Sequence, residues 1–196
     1  VTELIDVHYT VGTVVRFELN QDLDSSGQTD FFDVELLDAA APVTTQNFIS
    51  YTTTAATGTE RFDNLLLQRL AHDFVIQAGR FNLANDGVTP VELDRDADND
   101  GNTDTIINEN DPNTQNLRGT LALALPAGNP NGGSSEWFIN TTDNAFLSDP
   151  SRAHTVFGRV IGTGMAVVDN INPTPVYNLN DAFNSGALGT VPLLNS

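Results

Sequence analysis

Short β-rich runs, each closed off by Gly, Pro, Asp or Asn, constrain this chain more than any other feature. Val11 to Leu19 (VGTVVRFEL) and Phe31 to Leu37 (FFDVELL) alternate in period two across the polar, turn-rich QDLDSSGQTD, which predicts a long β-hairpin. After a break at Gly58, LLLQRL and FVIQAGRF flank Ala71-His72-Asp73, whose polar pair suits a bend, and so predict a second pair of strands. Strand character returns at Gly119 to Leu125, Glu136 to Asn140 and His154 to Val160, with PAGNPNGGSS as a loop between the first two. The Pro-punctuated tail from Asn172 to Ser196 has room for one closing strand.

Two segments read as short helices. In PVTTQNFISYTT, Pro42 sits near the first helical position, where its missing N–H is harmless, and Val43, Phe48 and Tyr51 can share a face. Gly164 to Ile171 (GMAVVDNI) is the second. Many strands with two helices predict a mainly β fold, a closed barrel with helical caps. The length of 196 residues suits one core, so residues 1–196 read as a single domain. Residues 82–116 are polar, rich in Asp and Asn and without a convincing strand, and read as one long acidic loop excursion.

Charge narrows the function. There are 26 acidic residues against 8 basic ones, all Arg, for a formal charge of -18. Such a field repels phosphate backbones and anionic lipid, so neither nucleic acid nor a membrane surface is expected as a partner. No apolar run approaches the roughly 18 residues of a membrane span, and the opening VTELIDVHYT lacks the basic and apolar regions of a signal peptide. With no Cys, thiolate chemistry and Cys-type metal sites are excluded, and with only His8, His72 and His154 a His-cluster metal site is not expected. A hard cation is another matter. DADNDGNTD places Asp96, Asp98, Asp100, Asn102 and Asp104 at positions one, three, five, seven and nine of a calcium-loop pattern, with Gly101 at six. Position twelve is Ile107 rather than Glu, leaving Asp94 or Glu109 to complete the shell of a structural calcium.

Four segments in order resemble the cyclophilin family: AAPVTTQNFISY, LLLQRLAHDFVIQAGRF, LRGTLALAL through SSEWFINTTDNAFL, and HTVFGRVIGTGMAVVDNI. The second is the most specific, because Arg69, Phe74, Gln77 and Gly79 reproduce the family's Arg, Phe, Gln and Gly spacing without a gap. FIN followed by DNAFL is similar to the bacterial secreted branch, which implies an extracytoplasmic location. The resemblance implies an eight-stranded antiparallel barrel capped by two helices. It also implies a peptidyl-prolyl cis-trans isomerase, a monomeric folding helper needing no cofactor and acting on proline-containing peptides or unfolded proteins.

Carried over by position, the resemblance implies a catalytic set of Arg69, Phe74, Gln77, Phe138 and His154. Arg69 would be the catalytic guanidinium, Gln77 would bond the substrate backbone, and Phe74, Phe138 and Leu147 would line the proline pocket. Ala124 would grip the residue before proline, His154 would stand at the rim, and Val75 and Phe146 would fill the remaining wall. Leu125 and Glu136 complete the substrate-binding set as departures, standing where the family often has Asn and Gln; Ala78 replaces the first Gly of a Gln-Gly-Gly run. Glu136 is also in a position to pair with Arg69. Two rival readings follow from these features: a non-catalytic proline-peptide-binding module, and a calcium-stiffened structural domain of a larger surface protein.

Overall fold

The hairpin read at the start of the chain forms in the computed structural model, which describes residues 10–52, 62–96 and 102–193. Strand β1 (Val14–Glu18) pairs antiparallel with β2 (Phe31–Leu36), Phe17 opposite Phe32. Alternation sends Phe32, Val34 and Leu36 inward, and Phe17 stacks on Phe32 with ring centroids 4.9 Å apart.

Helix α1 (Pro42–Thr52) follows. Its buried face carries Thr44, Phe48 and Tyr51, at i, i+4 and i+7, while Val43, expected on that face, is 41% exposed. Glu109 caps the helix: its two carboxylate oxygens accept the N–H groups of Val43 at 3.0 Å and Thr44 at 2.7 Å. Glu109, expected as one of two residues that could complete a calcium shell, serves in this structure as that cap.

The next strands are β3 (Arg69–Ala71), β4 (Val75–Ala78), β5 (Phe81–Leu83), β6 (Pro90–Glu92), β7 (Thr120–Leu123), β8 (Trp137–Asn140) and β9 (Val156–Ile161). Helix α2 (Gly164–Ile171), β10 (Val176–Tyr177), the short α3 (Asn180–Phe183) and β11 (Val191–Pro192) finish the chain. The main sheet runs β1-β2-β9-β7-β8-β4-β3, every neighbouring pair antiparallel. Among the described residues it has seven strands rather than the expected eight, and no ladder joins β1 to β3. The tail meets the outer edge of β3 only locally: the Leu70 N–H donates to the Thr190 carbonyl at 2.8 Å. The two-residue β11 pairs instead with β10, and Pro192 has no N–H with which to extend a ladder.

The central strands are covered on both faces, which is why WFIN is buried at every position. Leu70, Ile76, Leu121, Trp137 and Ile139 belong to the main core with Val34, Leu36, Phe48 and Phe157. Val75, Ala122, Phe138 and Val156 form a second cluster with Leu147 on the opposite side.

The acidic excursion is not strandless. Phe81–Leu83 and Pro90–Glu92 form a hairpin closed at Asp86, whose carboxylate accepts the N–H groups of Val88 at 2.9 Å and Thr89 at 2.8 Å. Of the expected calcium ligands, Asp98 and Asp100 lie outside the described residues, as does Gly101. The Asp96 N–H donates to the Asp94 carboxylate at 3.1 Å, and the Asp104 N–H donates to the Arg95 carbonyl at 2.7 Å. Among the described residues the carboxylates that do come together, within 4.8 Å, are Asp22, Asp24 and Asp30 in the β1–β2 loop, away from the expected position.

Candidate active site

Antiparallel register builds the site. Arg69 faces Gln77 across β3 and β4, Gln77 faces Phe138 across β4 and β8, and Phe138 faces Ala122 across β8 and β7. Cross-strand partners share a face, so one row of the sheet carries a guanidinium, an amide and an aromatic ring in line. Side chains from four other segments close around that row into a groove of about 140 Å³. Phe74 comes from the β3–β4 bend and Val75 from β4, Ala124 and Leu125 from the end of β7, Leu147 from the 3-10 turn Ala145–Ser148, and His154 from just before β9. Nine of the residues singled out in the sequence thus line one cavity.

The floor is apolar and fixed. Phe138 and Leu147 are nearly inaccessible, at 4% and 5% exposure, and the ring of His154 meets Phe138 edge-on at 5.3 Å. His154 Nδ1 lies 3.0 Å from the Leu123 carbonyl, which can only accept, so Nδ1 carries the proton. Burial lowers the His154 pKa, outweighing the Leu123 carbonyl, which raises it; the charge of Arg152 adds to the lowering. Ala124 donates its N–H to the Glu136 carbonyl at 2.9 Å.

Arg69 stands over the edge of this floor. Its guanidinium carbon is 6.0 Å from the Phe74 ring centroid, at the limit of a cation–π contact, and among the described residues no carboxylate pairs with it. Phe146 does not line the groove. It stacks on Phe74 with centroids 5.9 Å apart, is 52% exposed, and lies beneath the Arg152 guanidinium at 5.5 Å.

Glu136 is also outside the groove lining, and its partner is not Arg69. Its Oε2 accepts from Nε2 of both Gln77 and Gln68 at 2.9 Å. Its Oε1 lies 3.7 Å from Arg80 and 3.6 Å from Arg95. Glu136 stands just before β8, beside Trp137, which points into the main core. Gly79 is what lets the two strands meet there. Its φ is +98°, and a Cβ on it would stand 2.3 Å from the Ser135 carbonyl oxygen.

The buried amides behind the floor leave little trace in the sequence. The Asn140 Nδ2 donates to Asn116 Oδ1 at 3.1 Å and Thr120 Oγ1 at 2.9 Å, while Asn144 Nδ2 donates to Asn140 Oδ1 and to the Phe74 carbonyl, both at 2.9 Å. Asn116 Nδ2 in turn donates to Ser148 Oγ at 3.1 Å and the His154 carbonyl at 3.2 Å. This one network ties together the Phe74, Leu147 and His154 walls. The only signal for it in the sequence is a polar residue ending the apolar run WFIN.

The groove thus joins a guanidinium with no carboxylate partner among the described residues, an apolar floor, an amide edge and an imidazole. Comparison with known proteins places the chain in a family. Residues 22–186 match the family model for "Cyclophilin type peptidyl-prolyl cis-trans isomerase/CLD". A peptidyl-prolyl cis-trans isomerase of Acinetobacter baylyi is 30% identical over 182 residues, covering 90% of this chain and 82% of that protein. A peptidyl-prolyl cis-trans isomerase of Streptomyces antibioticus is 34% identical over 143 residues, covering 70% and 75%. The fold is similar to that of a Cryptosporidium parvum cyclophilin type peptidyl-prolyl cis-trans isomerase whose crystal structure was determined in the presence of the dipeptide Ala-Pro. That likeness has a TM-score of 0.56 at 18% identity, over 84% of this chain and 94% of the other. The chain belongs to the cyclophilin-type peptidyl-prolyl cis-trans isomerase family. No helix among the described residues is long and apolar enough to cross a membrane.

Proposed function

We propose that the groove accelerates rotation about X-Pro bonds in peptides and unfolded proteins, with Arg69 as the group that acts on the reacting atoms. The observation that carries this reading is the convergence of Arg69, Gln77, Phe138 and His154 on one groove in which the guanidinium has no described carboxylate partner.

Amide resonance sets a barrier of roughly 18–20 kcal/mol to this rotation, and no covalent bond need break to cross it. Catalysis therefore requires only that the twisted amide be held more tightly than either planar isomer. When the bond twists, the prolyl nitrogen becomes pyramidal and recovers its lone pair. A guanidinium N–H beside it then gains a hydrogen bond that neither planar form offers. The wall of Phe74, Phe138 and Leu147 holds the pyrrolidine ring, while Gln77 and the Ala124 carbonyl hold the chain on either side. No cofactor enters this chemistry.

The broader reading is a single-domain, monomeric, extracytoplasmic bacterial folding helper whose sheet closes toward the eight-stranded form of its family. The FIN and DNAFL segments and the acidic, Lys-free composition support it. A structural calcium stays outside the proposal, because the group of three carboxylates found among the described residues, Asp22, Asp24 and Asp30, lies away from the expected loop. A protease-coupled isomerisation assay on an Ala-Pro peptide tests the catalytic reading. Acceleration in proportion to protein concentration is expected; binding of the peptide without acceleration would identify a proline-peptide-binding module instead.

A further inference from the structure

A carboxylate stands directly behind Gln77, and a carboxylate accepts hydrogen bonds without donating them. The Gln77 side-chain amide must therefore turn its NH₂ to Glu136 Oε2, at 2.9 Å. This orientation follows from the partner's chemistry and not from an arbitrary choice between amide O and N. The terminal atom left for the groove is Gln77 Oε1, for which no donor stands among the described residues.

Glu136 is itself clamped. Gln68, 1% exposed, accepts the Arg80 backbone N–H on its Oε1 at 2.8 Å and so must direct its own Nε2 to Glu136 Oε2. The guanidiniums of Arg80 and Arg95 flank Glu136 Oε1, and both also reach Glu92, at 3.1 and 2.7 Å. Arg95 and Glu92 belong to the acidic excursion, so that segment buttresses the site from behind. With Gln at position 136, the usual residue in the family, two facing amides could pair in either sense and either atom of Gln77 could face the groove.

We propose that Glu136 is a positioning residue that locks Gln77 as a hydrogen-bond acceptor toward the groove, so that the site selects peptides by a backbone N–H beside the proline. The inference rests on the groove being the peptide site. Its test compares Ala-Pro peptides with matched peptides in which each amide N–H flanking the proline is replaced, one at a time, by an ester oxygen. The native chain is expected to bind the ester more weakly at one position by about three- to tenfold, the range of one neutral hydrogen bond. Gln77→Ala abolishes that preference. Glu136→Gln, nearly isosteric, reduces it to about twofold or less, raising KM for the amide peptide while kcat holds.

The side-chain amide proton signals of Gln77 in the free protein give a readout independent of peptide. They are expected to move upfield in Glu136→Gln as the charge-assisted bond is lost. Full native preference in Glu136→Gln, or an unmoved Gln77 signal, would overturn the proposal. If the peptide binds but is not isomerised, the catalytic reading fails while the affinity ratios still decide the role of Glu136. If no peptide binds at all, both are overturned.

Discussion

Replacing Asn140 with Ala removes the centre of the amide network behind the groove, and the structure allows the cost to be worked out bond by bond. Asn140 is fully buried. Of its partners, Thr120 Oγ1 is near enough to solvent to recover a water, and Asn144 Nδ2 keeps the Phe74 carbonyl at 2.9 Å. Asn116 Oδ1 recovers nothing: Asn116 is fully buried, and the only donor shown for that oxygen is Asn140. One lost buried hydrogen bond contributes about 1 kcal/mol and a stranded buried acceptor about 1–3 kcal/mol, so the expected destabilisation is about 2–4 kcal/mol. In urea, with an m-value of roughly 2–3 kcal/mol per M for a chain of this size, the unfolding midpoint falls by about 1–2 M. Asn170→Ala, an exposed change on α2, serves as the control and shifts the midpoint little. Because the network holds the backbones of Phe74 and His154, kcat/KM of Asn140→Ala falls as well. A midpoint within about 0.3 M of the native chain, with m unchanged, would refute this account of the network.

Two further outcomes follow. The folded pKa of His154 lies below its ordinary value of 6.5, so on acidification the unfolded chain takes up that proton first. The His154 contribution is complete above that value and is lost as pH falls below it toward the folded pKa. Unfolding midpoints at about pH 7.5 and about pH 5 should differ more for the native chain than for His154→Gln, and equal differences would contradict the assignment. Gly79→Ala forces a Cβ to within 2.3 Å of the Ser135 carbonyl oxygen at a φ of +98°. It should lower stability by about 2 kcal/mol or more and raise KM for the peptide by displacing Glu136 from Gln77; an unchanged melting curve would count against that close approach.

The strands were legible because their alternation and turn residues are local properties. Arg69, Phe74 and Gln77 were legible as a set because strand register converts sequence spacing into position across a sheet. Other features depend on partners distant in sequence. Nothing near Glu136 announces that Gln68, Gln77, Arg80 and Arg95 surround it, and nothing near Glu109 announces that it caps a helix beginning at Pro42. The β5–β6 hairpin was hidden because its strands are three residues long, too short for alternation to show. Phe146 was assigned to the pocket by position alone, but its place in a 3-10 turn points the ring outward onto Phe74.

The central claim is that Arg69 acts on the twisted amide and not on the bound planar peptide. Two-dimensional exchange NMR on an Ala-Pro peptide reports cis-trans exchange and affinity in the same sample, for the native chain and for Arg69→Ala. The account predicts catalysed exchange lower by about 10²–10³-fold in the variant, as for removal of one transition-state donor, with Kd changed by about threefold or less. Unchanged exchange, or a loss of affinity as large as the loss of rate, would contradict it.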